Sequence, residues 1–144
     1  MDQGDARRWV GIQQLVARSV DAWNRRDVDA FVVLWEPGAR WEVTGREPAV
    51  GRDAIAAACR EMLAGVELVV QLQPNGVVDL HAWPVHGRWY LTETMRLAGG
   101  AGASLVGVYH DTYEEGAEGW WFTSRRLEVL HRQEVPASGT GPRP

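Results

Sequence analysis

Three polar side chains on two neighbouring strand-like segments have the types needed for acid–base chemistry. Glu93 lies in a segment whose residues alternate between two faces, and Tyr109 and Asp111 alternate in the same way in the next segment. A carboxyl group in apolar surroundings has a raised pKa, which suits a general acid or base, and a tyrosine hydroxyl can donate to a carbonyl oxygen. Two alternatives stay open: either carboxylate can pair with Arg125 or Arg126, and Tyr109 can be a core aromatic residue.

Composition excludes several other kinds of catalysis. All fifteen basic residues are arginine, which rules out a Schiff-base lysine, a phosphate-binding Walker lysine and a lysine base. The single cysteine, Cys59, precludes an intramolecular disulfide and a cysteine cage for a metal ion. His81 and His86 lack a carboxylate placed to complete a zinc site, and no serine lies in a nucleophile elbow. We therefore predict an activity that needs no cofactor and no metal.

Tryptophan is the most unusual feature of the composition, since the chain has eight Trp against three Tyr and two Phe. An indole needs space and a partner for its N–H, so this enrichment indicates an aromatic-walled cavity, a large interface or simply a bulky core. We assign a cavity to residues on the apolar faces of the predicted elements, together with one arginine near the end of the sheet. The predicted substrate-binding residues are Trp23, Trp41, Trp89, Leu91, Met95, Leu105 and Arg125.

Helices in the first part of the chain must position these residues. Apolar residues at spacings of three and four predict a first helix over about 5–26. Asp27 is typical of the N-cap of a short second helix, which includes Trp35 and is stopped by Pro37-Gly38. A third helix is predicted to begin at Gly51.

From residue 66 onward the apolar period changes from about 3.6 to 2, which predicts strands. We expect a bend or bulge at Pro74-Asn75-Gly76 and a turn at 99–102. The predicted strands run over about 66–73, 77–82, 87–97, 104–114 and 120–132, after a short one near 41–43. Helices followed by antiparallel strands indicate an α+β fold. We assign one domain to residues 1–135 and expect a disordered tail over 136–144, which is rich in Pro, Gly, Ser and Thr.

Charge and composition restrict the partners. The net charge is −4 and the arginines are scattered, so nucleic-acid binding is not expected. No apolar run is long enough to span a membrane, and the first residues lack an export signal, so we expect a cytoplasmic protein. The absence of lysine beside abundant Ala, Gly and Val is typical of a GC-rich bacterial genome. The convex sheet face that carries Tyr90, Thr92, Val106 and Val108 is half apolar, which predicts a homodimer through the sheet.

Four segments have a familiar sequence and order: VDAWNRRDVDAFVVLWEPGARWEV at 20–43, EPAVGRDAI at 47–55, HGRWYLTE at 86–93 and GVYHDTYEEGAEGWWFTSRR at 107–126. Together they resemble the SnoaL-like polyketide cyclase branch of the NTF2-like superfamily. The resemblance implies an NTF2-like cone, in which three N-terminal helices pack on a curved, mainly antiparallel sheet around a deep apolar pocket. It also implies dimerisation through the sheet. The family includes cyclases, dehydratases, isomerases, epoxide hydrolases and non-catalytic members, so the fold alone does not settle the function.

The resemblance brings two amide residues to the site. Dehydratase and dehydrochlorinase members carry a catalytic Asp three residues before the position of Asp27, where this chain has Asn24. Their partner His corresponds to about Gln71. An amide has no accessible pKa near neutrality, so the Asp/His base is missing here. Asn24 and Gln71 can orient a substrate by hydrogen bonding; alternatively, Asn24 caps its helix and Gln71 faces water.

Three functions remain open. The first is a cofactor-independent polyketide cyclase acting on an apolar small molecule, in which the pocket folds the substrate into a reactive conformer, as in a [4+2] ring closure. The second is an isomerase, dehydratase or aldol cyclase that uses Asp111 or Glu93 as acid or base. The third is a ligand-binding domain without catalysis. The candidate catalytic residues are Tyr109, Asp111, Glu93, Asn24 and Gln71.

Overall fold

The computed structural model describes residues 1–137 as three helices packed on one face of a curved, six-stranded sheet. The helices are α1 (Gln3–Asn24), α2 (Val28–Val32) and α3 (Arg52–Leu63). The strands are β1 (Trp35–Val43), β2 (Ala49–Val50), β3 (Val66–Asp79), β4 (Val85–Leu97), β5 (Gly102–Gly116) and β6 (Gly119–Val135). The predicted α+β arrangement is confirmed.

The sheet has the order β2-β1-β6-β5-β4-β3. All neighbouring strands are antiparallel except β1 and β6, which run parallel. We use the term inner face for the side of the sheet that packs against the helices, and outer face for the opposite side. Along β4 and β5 the predicted alternation is confirmed, because Trp89, Leu91 and Tyr109 are buried on the inner face while Tyr90 and Val106 are exposed on the outer one.

The short second helix begins as predicted but ends early. The Asp27 carboxylate accepts a hydrogen bond from the Ala30 N–H at 3.0 Å, so it is the N-cap of α2. The expectation that this helix includes Trp35 is wrong, since β1 begins at that residue and contains Pro37-Gly38. The residue before a proline avoids helical backbone angles, and Trp35 pairs instead with Phe122 on β6.

The third helix begins where the sequence predicts. Gly51 is its N-cap and has a φ of 88°, a left-handed conformation that glycine adopts without strain. Its N–H donates to the Ala39 carbonyl oxygen at 2.8 Å, which attaches the start of α3 to β1.

Two predicted strands are one continuous strand, β3, with a bulge between Leu72 and Asn75. The predicted Pro-Asn-Gly irregularity therefore bends the strand without ending it. The predicted glycine turn lies one residue earlier than expected, at 98–101, because Gly102 already pairs with Arg96.

A second irregularity, between Val66 and Leu68, determines which side of β3 faces inward. The apolar Leu68, Val70 and Leu72 are exposed on the outer face. The amides of Gln71 and Gln73 are buried on the inner face, at 7% and 8% exposure. Buried amides need hydrogen-bond partners, and the inner face supplies them.

Only Pro136 and Ala137 of the predicted disordered tail belong to the described part of the chain, and 138–144 lie outside it. Among the helices of residues 1–137, none is both long and apolar enough to cross a membrane.

Candidate functional site

A cavity of about 250 Å³ opens on the inner face of the sheet. Side chains from α1, α3, five of the strands and the turn after β1 line it. Its inner end is aromatic: Trp23, Trp41 and Tyr109 line it and are only 6%, 3% and 4% exposed. Four of the seven predicted substrate-binding residues lie in this wall, namely Trp23, Trp41, Met95 and Leu105. Three of the five predicted catalytic residues also line it, namely Glu93, Tyr109 and Gln71.

Glu93 presents two oxygens in different environments. Its Oε1 accepts hydrogen bonds from the Trp23 indole N–H at 2.7 Å and from the Gln71 side-chain amide at 3.2 Å. Its Oε2 has no hydrogen-bond partner among residues 1–137. Burial raises the pKa of this carboxyl group above its usual value, against the opposing effects of the two hydrogen bonds and the positive charge of Arg132. The group can therefore take up or release a proton through Oε2.

Tyr109 is the second proton-bearing group of the cavity. Its hydroxyl oxygen accepts a hydrogen bond from the Trp41 indole N–H at 3.1 Å, and nothing in the described part of the chain accepts its own proton. Burial raises the pKa of Tyr109 to about 12, so the phenol keeps its proton near neutral pH. Tyr109 is thus a hydrogen-bond donor in the cavity wall.

A chain of directed hydrogen bonds leads from Glu93 into the core. Arg125 Nη2 donates to Gln73 Oε1 at 2.8 Å, Gln73 Nε2 donates to Gln71 Oε1 at 2.7 Å, and Gln71 Nε2 donates to Glu93. A guanidinium has donors only, so the atom of Gln73 that faces Arg125 must be the oxygen. Each following amide is oriented in turn, and the last one presents its N–H to Glu93 Oε1.

Asp111 does not line this cavity, because it forms a buried ion pair with Arg125. Arg125 Nε and Nη2 donate to Oδ1 and Oδ2 of Asp111 at 2.7 and 3.0 Å, and the Tyr113 hydroxyl also donates to Asp111, at 2.9 Å. Burial is the largest influence on the pKa of Arg125 and lowers it, but the combined electrostatic effects of Asp111, Tyr109 and Tyr113, with the hydrogen bonds to Asp111, raise it overall. Burial also raises the pKa of Asp111, against the charge and hydrogen bonds of Arg125. The structure therefore matches the ion-pair alternative for Asp111 rather than the acid–base alternative.

Arg125 lies behind the cavity wall. Its guanidinium carbon is 3.8 Å from the ring centroid of Tyr109 and 4.2 Å from that of Phe122. Arg125 was predicted to bind substrate, but the aromatic ring of Tyr109 lines the cavity and Arg125 itself does not. Its contacts instead hold Tyr109 and Gln73 in place.

The side-chain amide of Asn24 is occupied by the backbone of β3. Asn24 Nδ2 donates to the Gln71 carbonyl oxygen at 2.9 Å, and Asn24 Oδ1 accepts from the Gln71 N–H at 2.7 Å. The two positions that the resemblance pairs are thus in contact. Asn24 attaches the end of α1 to β3, whereas the Gln71 side chain lines the cavity and does not face water.

Trp89 and Leu91 are also outside the cavity wall. The Trp89 ring stacks on Trp9 of α1, with centroids 5.8 Å apart and an angle of 12° between planes, and its N–H donates to the Tyr113 hydroxyl at 2.9 Å. Leu91 is 1% exposed within the same core. These two residues pack in the core between α1 and the sheet and do not line the cavity. Their contact with substrate stays a prediction.

Two arginines of the cavity, Arg46 and Arg132, were missed by the sequence analysis. Arg46 lies in a turn after β1, where no periodic pattern indicates a direction. Strict alternation along β6 would direct Arg132 to the outer face, but a bulge in the strand directs it inward.

A wider groove of about 570 Å³ crosses the outer face of the sheet. Charged side chains dominate it, including Arg40, Glu42, Arg88 and Arg126, and it is open to solvent. It lacks the buried aromatic wall of the inner cavity, and the buried carboxylate that it reaches, Asp111, is paired with Arg125. We therefore place the candidate site in the inner cavity. Across residues 1–137, no cluster of His, Cys, Asp and Glu is arranged to hold a metal ion.

The SnoaL-like domain model matches residues 7–126, which is most of the chain. The protein belongs to the SnoaL-like family. The predicted membership in the NTF2-like superfamily is thereby confirmed, and with it the expected packing of three helices on a mainly antiparallel sheet. A comparison with curated proteins finds no match.

Solved structures share the fold of this SnoaL-like protein at low sequence identity. A proposed scytalone dehydratase from Novosphingobium aromaticivorans is 16% identical with a TM-score of 0.86, covering 99% of this chain and 100% of its own. A proposed aromatic ring hydroxylase from the same organism is 18% identical with a TM-score of 0.84, covering 90% and 94%. A hexachlorocyclohexane dehydrochlorinase of the LinA type from Novosphingobium barchaimii is 17% identical with a TM-score of 0.79, covering 94% and 93%.

Proposed function

We propose that this protein is a cofactor-independent enzyme of the isomerase or lyase type, which moves a proton on a small, largely apolar organic molecule. One observation carries the proposal: Glu93, with one free oxygen, and Tyr109, with a free hydroxyl proton, line the same aromatic cavity. A carboxyl group and a hydrogen-bond donor around an apolar space are the groups that proton transfer next to a carbonyl requires.

Each group has a defined role. The Glu93 carboxylate takes a proton from the carbon beside a substrate carbonyl through Oε2, and the electron pair moves to the carbonyl oxygen. Tyr109 donates its O–H to that oxygen and stabilises the developing negative charge. The protonated Glu93 then returns the proton, to another carbon in an isomerisation or to a departing hydroxyl in a dehydration. Gln71 orients Glu93, and Asn24 positions Gln71.

The structural neighbours support this class of reaction at the level of their names. One is a proposed scytalone dehydratase and another is a dehydrochlorinase, and both names describe eliminations from small molecules. The resemblance places Asn24 and about Gln71 at the positions where dehydratase and dehydrochlorinase members carry an Asp/His pair. The proposal therefore assigns the proton-transfer role to a different residue, Glu93, on the strand beside Gln71.

Deuterium exchange tests the proposal without knowledge of the natural substrate. 2-Tetralone is a small bicyclic ketone whose protons beside the carbonyl exchange with D2O when a base removes them, and proton NMR follows the loss of signal. We expect exchange above the buffer rate with the parent protein. Glu93→Gln should abolish the protein's contribution, and Tyr109→Phe should reduce it about tenfold, since one hydrogen bond to an anionic oxygen is lost.

The matched control is Glu128→Gln, which changes a carboxylate on β6 that contacts His110 at 3.5 Å, away from the cavity. It should exchange 2-tetralone as the parent does. Exchange by the parent at the buffer rate, or unchanged exchange in a folded Glu93→Gln variant, would reject Glu93 as the base.

A polyketide-type ring closure is the second candidate, and the aromatic wall favours it. Trp23, Trp41 and Tyr109 form a rigid surface that can hold a flexible polyene in a reactive conformer, which lowers the entropic barrier without a base. Such a [4+2] closure would retain its rate in Glu93→Gln and would vary little between about pH 5 and 9. Proton transfer by Glu93 would follow the ionisation of that residue instead.

A further inference from the structure

The cavity has a charged rim that proton transfer at Glu93 does not require. Arg46 and Arg132 line the cavity, and their side chains are 37% and 55% exposed. The aromatic residues at the inner end are almost fully buried. The two arginines therefore mark the mouth of the cavity and the aromatic residues mark its floor.

Arg132 faces the cavity because of a bulge in β6. Val129 faces inward, and uninterrupted alternation would place His131 inward next. The pairing of β6 with β5 shifts between these two residues, so Leu130 is an additional residue and Arg132 takes the inward position. Bulges commonly redirect a side chain beside a functional site, and here the bulge replaces an imidazole by a guanidinium.

The present partners of both arginines are weakly held. Arg46 pairs with Glu61 at 3.2 Å and Arg132 pairs with Glu134 at 3.6 Å, and these glutamates are 73% and 79% exposed. Exposed ion pairs contribute little to stability, so a ligand carboxylate can replace either glutamate at small cost. A guanidinium also offers paired N–H donors whose geometry matches a carboxylate.

We infer that the substrate of this cavity is an amphiphilic acid, whose carboxylate is bound by Arg46 and Arg132 while its apolar body packs on the aromatic floor. The inference rests on the proposed function, because it assigns a substrate class to the same cavity. The chain as a whole is negative, with a net charge of −4, and Arg46 and Arg132 are the cationic side chains among the described residues that line this cavity. A preference for an anion there would come from these two side chains.

The position of Glu93 is compatible with an anion at the rim. Glu93 and Arg132 belong to one cross-strand row on the inner face, in which Leu105 separates them. Two strand spacings amount to about 10 Å between the backbones. The Glu93 carboxylate is held against Trp23 at the floor, and the positive charge of Arg132 reaches it across the cavity. The substrate would thus be oriented with its acid outward and its reacting carbon inward.

A pair of probes of nearly equal shape tests the inference. 2-Naphthoate is an anion at pH 7 and 2-naphthamide is neutral, and isothermal titration calorimetry of the full chain at low salt measures both. We expect 2-naphthoate to bind about tenfold more tightly than 2-naphthamide. Arg46→Gln and Arg132→Gln should each reduce this preference severalfold, and the double variant should remove it while still binding 2-naphthamide.

Arg126→Gln is the matched control, since Arg126 belongs to the same strand but lines the outer groove. It should keep the parental preference, and added salt should weaken the preference in both proteins. Equal binding of the two probes by the parent, or an unchanged preference in the double variant, would overturn the inference and leave the cavity as a neutral binding site. Failure of the parent to bind either probe would contradict the cavity itself as a ligand site, and the inference with it.

Discussion

The indole N–H groups of Trp23 and Trp41 each bind one polar atom of the cavity, Glu93 Oε1 and the Tyr109 hydroxyl oxygen. Each buried indole N–H thereby has an acceptor. The second oxygen of Glu93 and the hydroxyl proton of Tyr109 remain directed at the cavity. The same residues that wall the cavity therefore orient its reactive atoms. A tryptophan replaced by phenylalanine would keep much of the wall but lose this orientation.

The elevated pKa of Glu93 predicts a specific dependence of stability on pH. Burial raises the folded-state pKa, so between the ordinary carboxyl value and the raised one the folded protein holds a proton that the unfolded chain has lost. The stabilisation from this retained proton is fully present below the pKa of Glu93 in the unfolded chain. It is lost as pH rises through the window, so the free energy of unfolding decreases there. We expect Glu93→Gln to remove this decrease, because its amide is neutral at every pH.

Urea unfolding of the parent and of Glu93→Gln at intervals from pH 4 to pH 8 measures the effect. The stability of the variant relative to the parent should rise with pH and then become constant. Glu118→Gln, an exposed carboxylate in the β5–β6 turn, is the control and should follow the parent. Parallel curves for the parent and Glu93→Gln would contradict a raised pKa.

The hydrogen-bond chain from Arg125 predicts that a residue without cavity contact influences Glu93. Gln73→Leu removes the link that orients the Gln71 amide, so Gln71 should donate less well to Glu93 and the pKa of Glu93 should rise further. Carbon-13 NMR of the glutamate side chains measures that pKa. Loss of an acceptor for the buried Arg125 should also lower stability by about 1–3 kcal/mol.

Ser19→Ala separates this effect from general disturbance of Arg125. Ser19 Oγ accepts from Arg125 Nη1 at 3.4 Å but has no place in the chain that leads to Glu93. The pKa of Glu93 should be unchanged in that variant. The same pKa in Gln73→Leu as in the parent would show that the chain carries no influence.

Helix α1 is held to the sheet at both of its ends. Near its start Trp9 stacks on Trp89, and at its end Asn24 forms two hydrogen bonds with the backbone of Gln71. The cavity lies beside the attachment at Asn24. A change at the attachment of Trp9 to Trp89 therefore does not alter a direct contact with a ligand. Trp89 thus contributes to the packing of an element rather than to the cavity wall.

The close approach of β3 to Trp89 leads to a prediction at this scale. Gly76 pairs with Trp89 across the strands, and a Cβ at position 76 would overlap the indole ring. Gly76→Ala should displace Trp89 from Trp9 and lower the free energy of unfolding by about 1–3 kcal/mol. Urea unfolding measures the loss, and binding of 2-naphthamide should be little changed in the folded variant.

Gly38→Ala provides a comparison within another strand. A Cβ at that position would come no closer than 3.7 Å to a carboxylate oxygen of Glu36, which is an ordinary contact. We expect a smaller effect on unfolding there. Equal losses for the two variants would mean that contact with Trp89 is not the cause.

The whole molecule leaves an apolar area on its outer face. Leu68, Val70, Leu72, Tyr90 and Val106 are 37–53% exposed there on β3, β4 and β5, with Arg96, Thr94 and Thr92 as the cross-strand partners of the three β3 residues. Exposed apolar side chains gathered on one side of a sheet are typical of a protein interface. The predicted homodimer through the sheet remains a prediction, and this area is where we expect the two copies to meet.

Val106→Glu tests that association. Two glutamates brought near a twofold axis repel each other and lose apolar contact. We expect light scattering at micromolar concentration to show a dimer for the parent and a monomer for the variant. Val108 is a poorer choice, because it is 4% exposed and a charge there would disturb folding. The control is Val33→Glu, because Val33 is the C-cap of α2 and is 61% exposed away from the sheet's outer face. We expect this variant to be a dimer. A monomeric parent would refute the interface.

Local patterns in the sequence were sufficient for much of this architecture. The Asp27 N-cap, the start of α3 at Gly51 and the alternation along β4 and β5 all depend on neighbours within a few residues. That alternation placed Glu93 and Tyr109 on the inner face, and the resemblance brought Asn24 and Gln71 together. The SnoaL-like fold and the central side chains of the candidate site were therefore predictable.

Other features depended on partners distant in the chain. Whether Asp111 is free or paired was decided by Arg125, which lies opposite it on β6 and shares its burial. The bulges in β3 and β6 placed Gln71, Gln73 and Arg132 inward, because the register of a strand is set by pairing and not by its own period. Trp89 does not line the cavity, because its ring packs against Trp9 of α1, a residue distant from it in the chain. Periodicity is a property of one segment, whereas a cavity is formed by several, and only their packing decides which side chains it contains.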